Sequence, residues 1–161
     1  MCVNTPGANA YAVSELAVLL MLAVGRSLLC HSLQLRDGVW SREMYTAQSR
    51  SLNHKVVGLV GGGNIGRQVA RKVQAFGARV QYYDPFRLKP EMEKEFQMEY
   101  VDYETLLATS DAISFHVPSD STRHMLNKEN IKTVKPGAII INTARSGIVE
   151  DEALWKPGKP D

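Results

Sequence analysis

From Lys55 onward, short apolar and β-branched runs alternate with stretches in which apolar side chains recur every three or four positions. The first run, "KVVGLVG", ends in glycine. "NIGRQVARKVQAF" follows, with Ile65, Val69, Val73 and Phe76 on one helical face and Arg67, Gln68, Arg71 and Lys72 opposite. That order predicts strand, turn and helix. Gly77 supplies the left-handed residue that commonly ends a helix, and "ARVQYYD" begins a second strand. The same reading gives a short helix in "DYETLLATS", a strand in "AISFHV" stopped by Pro118, a short helix in "NKENIKTV", and a strand in "AIIINT" launched from Pro136-Gly137. "RLKPEMEKEFQMEYV" predicts a short helix, then a short strand near Met98 to Val101. Strands alternating with helices imply an α/β fold, a parallel sheet covered on both faces.

The region before Lys55 has a different pattern. "LAVLLMLAVG", Leu16 to Gly25, is far shorter than the roughly 20 residues of a spanning helix. Arg26 closes it, and no basic segment precedes it as a signal peptide requires. Continued through "RSLLCHSLQL", its apolar positions cover almost the whole circumference. That predicts a helix within 10–35 buried against other protein, part of its surface belonging to a subunit interface.

Composition narrows the partners. The 161 residues are 44% hydrophobic and 22% charged, which fits one globular domain with a real core. A formal charge of +2, from 19 basic and 17 acidic residues scattered along the chain, gives no nucleic-acid patch and no membrane-binding face. A small-molecule partner is expected. Cys2 and Cys30 match neither a disulfide framework nor a metal spacing, and read as reduced thiols of a cytoplasmic protein.

In an α/β sheet, ligands collect beyond the carboxyl ends of the strands. The first end carries "GGGNIG", in which Gly61, Gly63 and Gly66 form G-x-G-x-x-G. The first glycine permits a tight turn, the second lets backbone approach a pyrophosphate, and the third lets helix pack against strand. The second end, "YYDPF", places Asp84 eighteen residues after Gly66, close to the spacing of an acid that hydrogen-bonds a ribose 2′-hydroxyl. The plain alternative is a turn aspartate before proline. A carboxylate there repels a 2′-phosphate and favours NAD over NADP, although Arg87 stands three residues on. The third end holds His116, read either as a general base or as the structural hydrogen-bonder that a strand-end histidine more often is. The fourth, "INTARSG", holds Arg145. A fixed guanidinium can grip a carboxylate with two parallel hydrogen bonds and polarise an adjacent carbonyl. Spacing alone leaves that reading level with a solvated loop arginine.

Five stretches, "VNTPGANAYAVSELAVLLMLAVGR", "VGLVGGGNIG", "YYDPF", "HVPSDSTRHMLN" and "GAIIINTARSGIVEDEAL", occur in this order from Val3 to Leu154. Together they resemble the NAD-binding domain of the D-2-hydroxyacid dehydrogenases, most closely those members similar to phosphoglycerate dehydrogenase. The resemblance implies a Rossmann-type, doubly wound parallel sheet. It implies NAD, with Asn64 and Ile65 over the pyrophosphate, beside Gly61, Gly63 and Gly66, and with Asp84 at the adenosine ribose. His116, Val117 and Pro118, with Thr143, Ala144 and Arg145, line the nicotinamide side. Arg145 is the catalytic residue that binds the carboxylate of a 2-hydroxy or 2-keto acid. Asn9 also approaches the active site, and a homodimer is expected.

Members of the family have a substrate domain before the first stretch. They also have a segment after the last one that supplies a glutamate and a histidine acting as general acid and base. His31, His54, His116 and His124 do not match that histidine, Ser146 replaces the glycine usual after the arginine, and "WKPGKPD" replaces the expected helix. The expectation is a truncated cofactor-binding domain, inactive by itself. A non-catalytic dinucleotide-binding module, sensor or corepressor-like, is the alternative.

Overall fold

A computed structural model describes residues 5, 7–40, 49–118 and 122–154. Two helices come first, α1 (Ala10–Gly25) and α2 (Leu28–Arg36). The alternation then runs β1 (Val56–Val60), α3 (Asn64–Gln74), β2 (Arg79–Tyr83), α4 (Pro90–Phe96), β3 (Met98–Tyr100), α5 (Tyr103–Thr109), β4 (Ala112–Phe115), β5 (Ile139–Asn142) and α6 (Asp151–Leu154). All five strands are parallel, in the order β3-β2-β1-β4-β5. The order reverses at β1, whose neighbours are β2 and β4, so the loops leaving β1 and β4 part to opposite faces.

Both faces of this sheet are covered, which is why its strands read as continuous apolar runs rather than alternating ones. Along β1, Val57 and Leu59 enter the cluster that includes Val69, Ala70 and Val73 of α3 and Met21 of α1, while Val60 enters the opposite one. That second cluster holds Leu106 and Leu107 of α5, Ile113 and Phe115 of β4, and Leu126 and Ile148. Each such buried side chain contributes roughly 1.5–3 kcal/mol.

The structure corrects the sequence reading at three places. The apolar stretch 10–35 is two helices, bent by 62° at Arg26 and Ser27, because Ser27 adopts a left-handed conformation (φ 49°). Within the single chain, α1 packs Ala17, Val18 and Met21 inward and leaves Leu16 and Leu19 exposed, and no residue of α2 is buried. No single helix among the described residues is long and apolar enough to cross a membrane. Phe76 falls beyond the end of α3 and is exposed, so it does not share the buried face of Val69 and Val73. In "NKENIKTV" only Asn130–Thr133 closes, as a single 3₁₀ turn. Cys2 and the tail "WKPGKPD" lie outside the described residues.

Candidate functional site

The glycine loop turns directly off β1. Gly61 has φ +108°, and a Cβ there would stand 2.6 Å from the His116 carbonyl oxygen, so both conformation and space require glycine. A Cβ on Gly66 would stand 2.2 Å from the Gly61 carbonyl oxygen, because the loop lies on the first turn of α3. Gly63 differs. Its backbone is extended (φ −68°, ψ −166°), open to any residue, and a Cβ there meets no atom of the described residues within 4 Å. Among the described residues nothing crowds position 63, so the space beside its backbone is open to a ligand. Gly63 is also the N-cap of α3 and offers no side-chain cap, so the first amides of the helix keep their donors without an intrahelical acceptor.

Asp84, just beyond β2, is tied to this loop. Its Oδ2 accepts from Gly62 N–H and its Oδ1 from Phe86 N–H, each at 2.9 Å. The turn role leaves room for a ligand, since a carboxylate bonded to two amides keeps free acceptor positions. Asn64 Oδ1 accepts from Arg67 Nη2, beside the same helix start.

Beyond β4 and β5, a cleft of about 350 Å³ brings together His116, Val117, Pro118, Thr143, Ala144 and Arg145 with Ile65 of α3 and Asn9. Ile65 joins the glycine loop to this cleft, while Asp84 lies at the loop's other end, outside it. Val13, one helical turn after Asn9 on the same face of α1, also lines the cleft; the i, i+4 spacing was its only signal in the sequence. Asn142 holds the final loop, donating from Nδ2 to the Arg145 carbonyl at 2.7 Å and accepting from Ala144 N–H at 3.1 Å. The Arg145 guanidinium is exposed and donates to the Ala144 carbonyl at 2.9 Å, with no carboxylate paired to it among the described residues.

His116 is placed by its own N–H, which donates to Val60 O at 2.8 Å. Both ring nitrogens are buried and have no hydrogen-bond partner among the described residues, which corrects the reading of a structural hydrogen-bonder. The Thr143 hydroxyl is buried and equally unpartnered. Orphaned polar atoms on two sides of one cleft fit a polar ligand entering between them.

Burial pulls the His116 pKa from 6.5 down to about 4. The folded chain thus keeps this imidazole neutral where the unfolded chain binds a proton, and stability rises with pH between about 4 and 6.5. Lowering the pH from 7 to 4 is expected to cost up to about 3 kcal/mol of unfolding free energy through this residue. In urea titrations across that range His116→Gln should flatten the pH slope; equal slopes in the two proteins would contradict it.

A second cavity, of about 320 Å³, lies at the opposite ends of the strands and is lined by Met21, Lys55, Asp111 and Ile139. Its one carboxylate is already satisfied by Lys135 at 2.8 Å and by Val56 N–H at 2.9 Å. Among the described residues no cluster could hold a metal ion.

A parallel sheet reversing at β1, with a glycine loop and an uncapped helix start at the reversal, defines a Rossmann-type dinucleotide-binding domain. The sequence profile of the "D-isomer specific 2-hydroxyacid dehydrogenase, NAD binding domain" matches residues 18–157, and the chain belongs to this family, carrying its NAD-binding domain. It is 46% identical over 154 residues to hydroxypyruvate reductase of Thermotoga maritima, across 95% of this chain and 48% of that protein. D-3-phosphoglycerate dehydrogenase of Mycobacterium tuberculosis is 37% identical over 155 residues, 96% of this chain and 29% of that one. The NAD-dependent formate dehydrogenase of Staphylococcus aureus, solved in complex with NAD, superposes with a TM-score of 0.83 at 30% identity, over 93% of this chain and 44% of that one. The chain spans about half the length of the hydroxypyruvate reductase, and less of the others.

Proposed function

We propose that the chain holds NAD along the β1–β4 crevice for hydride exchange with a 2-hydroxy or 2-keto acid. Gly61, Gly63, Asn64, Ile65 and Gly66 receive the pyrophosphate at the start of α3, and Asp84 accepts from the adenosine ribose. His116, Val117, Pro118, Thr143 and Ala144 enclose the nicotinamide end. When bound, NAD supplies the hydride acceptor. Arg145, exposed at the mouth of the cleft and paired with no carboxylate among the described residues, grips the acid's carboxylate with its two-pronged fork and orients the neighbouring carbonyl. The observation that carries this reading is Gly63: among the described residues no atom crowds its Cβ direction, while Gly61 and Gly66, which flank it, are fixed by close backbone contacts.

The relatives named for reduction of hydroxypyruvate and oxidation of 3-phosphoglycerate both act on 2-hydroxy or 2-keto acids, which supports that substrate class. The same reading has the exposed Leu28, Leu29, Leu33 and Trp40 covered by a second copy of the chain, as a homodimer. It also places the protein in the cytoplasm, where the exposed free thiol of Cys30 stays reduced.

Amide chemical shifts read out the site directly. Titrating NAD into ¹⁵N-labelled chain is expected to move Gly61, Gly63, Asp84, His116 and Thr143. Shifts confined to the Met21–Asp111 cavity, or scattered over the surface, would overturn the assignment.

A further inference from the structure

Arg87 stands three residues after Asp84, near enough in sequence to receive a 2′-phosphate. The structure gives it a different partner. Its Nε donates to Glu93 Oε1 at 2.8 Å and its Nη2 to Oε2 at 3.0 Å, and its guanidinium carbon lies 4.9 Å from the centre of the Tyr100 ring. Glu93 is not a loose surface carboxylate. Its side chain is 15% exposed, and its Oε1 also accepts from the Tyr82 hydroxyl at 2.6 Å. That hydroxyl in turn accepts from Leu88 N–H at 2.9 Å. Arginine fork, carboxylate, phenol and loop backbone thus form one connected chain, with Tyr100 of β3 as the plate beneath it. Exposed ion pairs contribute little as a rule, since two long side chains must be held still. Here the two parallel hydrogen bonds, the aromatic contact and the covered carboxylate do the holding. The Arg87 and Tyr82 hydrogen bonds pull the Glu93 pKa down to about 2, so the carboxylate stays charged at any ordinary pH.

We propose that Glu93 is a specificity-determining residue of the cofactor site: by clamping Arg87 onto Tyr100 it withholds the cation that a 2′-phosphate needs. This rests on the assignment of Asp84 to the adenosine ribose. NADP is then excluded twice, by repulsion from Asp84 and by the commitment of Arg87. Glu93 acts through Arg87, from a helix that need not touch the cofactor.

The test is calorimetric titration of NAD and NADP into the chain in an Asp84→Asn background, which removes the repulsion and keeps an oxygen for the loop amides. Adding Glu93→Gln, which retains an acceptor for the Tyr82 hydroxyl, is expected to tighten NADP about tenfold, the size of one charged hydrogen bond, and to leave NAD within about twofold. Glu93→Ala, which removes the acceptor altogether, should give at least the same gain. Arg87→Ala on top of either variant should cancel it. Unchanged NADP affinity in both Glu93 variants would overturn the proposal, as would a gain that survives Arg87→Ala or is cancelled instead by Lys89→Ala. Failure of the unmodified chain to bind NAD at all would overturn the ribose assignment first, and the proposal with it.

Discussion

Gly63→Val is expected to weaken NAD by at least about 100-fold while leaving the circular dichroism and melting temperature nearly those of the parent chain. The separation of the two effects follows from the backbone. Gly63 is extended, and its Cβ direction meets no atom of the described residues within 4 Å, so valine costs the fold little beyond a poorer N-cap, about 1 kcal/mol. The same branched side chain projects where the backbone must meet the pyrophosphate. Neighbouring glycines cannot make this distinction. A Cβ on Gly61 or Gly66 runs into backbone oxygen at 2.6 or 2.2 Å, so losses there would mix folding with binding. Unchanged affinity in Gly63→Val would remove the glycine loop from the site.

The second large effect is a rate that should not appear. The 161-residue chain, mixed with NADH and pyruvate, glyoxylate, hydroxypyruvate or 2-ketoglutarate, is expected to show no NADH oxidation above background. Hydride transfer to a keto acid requires a proton delivered to the carbonyl oxygen as the hydride arrives, and a positioned acid contributes typically about 10²- to 10⁴-fold. Arg145 can hold a carboxylate but does not release a proton near neutrality. His116 faces the same cleft, yet burial holds it neutral with a pKa of about 4, too low to carry a proton at pH 7. Steady turnover abolished by Arg145→Ala would contradict this, and would mean that His116 or another residue of the chain moves the proton.

Most of the fold was legible because two-sided burial writes itself into sequence. The apolar runs at 56–60, 112–115 and 139–142 became strands, and the 3.6-residue period of 64–74 became α3. Even the short strand near Met98 is present, as Met98–Tyr100. What escaped was decided by contacts distant in sequence or by single dihedral angles. The break at Ser27 is a lone left-handed residue inside an apolar run, where periodicity has no signal. At the candidate site, the sequence spacing already pointed to the glycine loop and Asp84, which the structure brings together through the Gly62 N–H. The chain Arg87–Glu93–Tyr82 was not, because it joins a loop, a helix and a strand through side chains with no motif. Nor could sequence say that the His116 ring lacks a partner among the described residues, since satisfaction of a buried group depends on everything packed around it.

The most direct measurement is isothermal titration of NAD and, separately, NADP into the unmodified chain. A single NAD site per chain is expected, with NADP weaker by at least about tenfold because a 2′-phosphate meets the Asp84 carboxylate and finds Arg87 committed to Glu93. Absence of NAD binding, or equal affinity for the two dinucleotides, would contradict it.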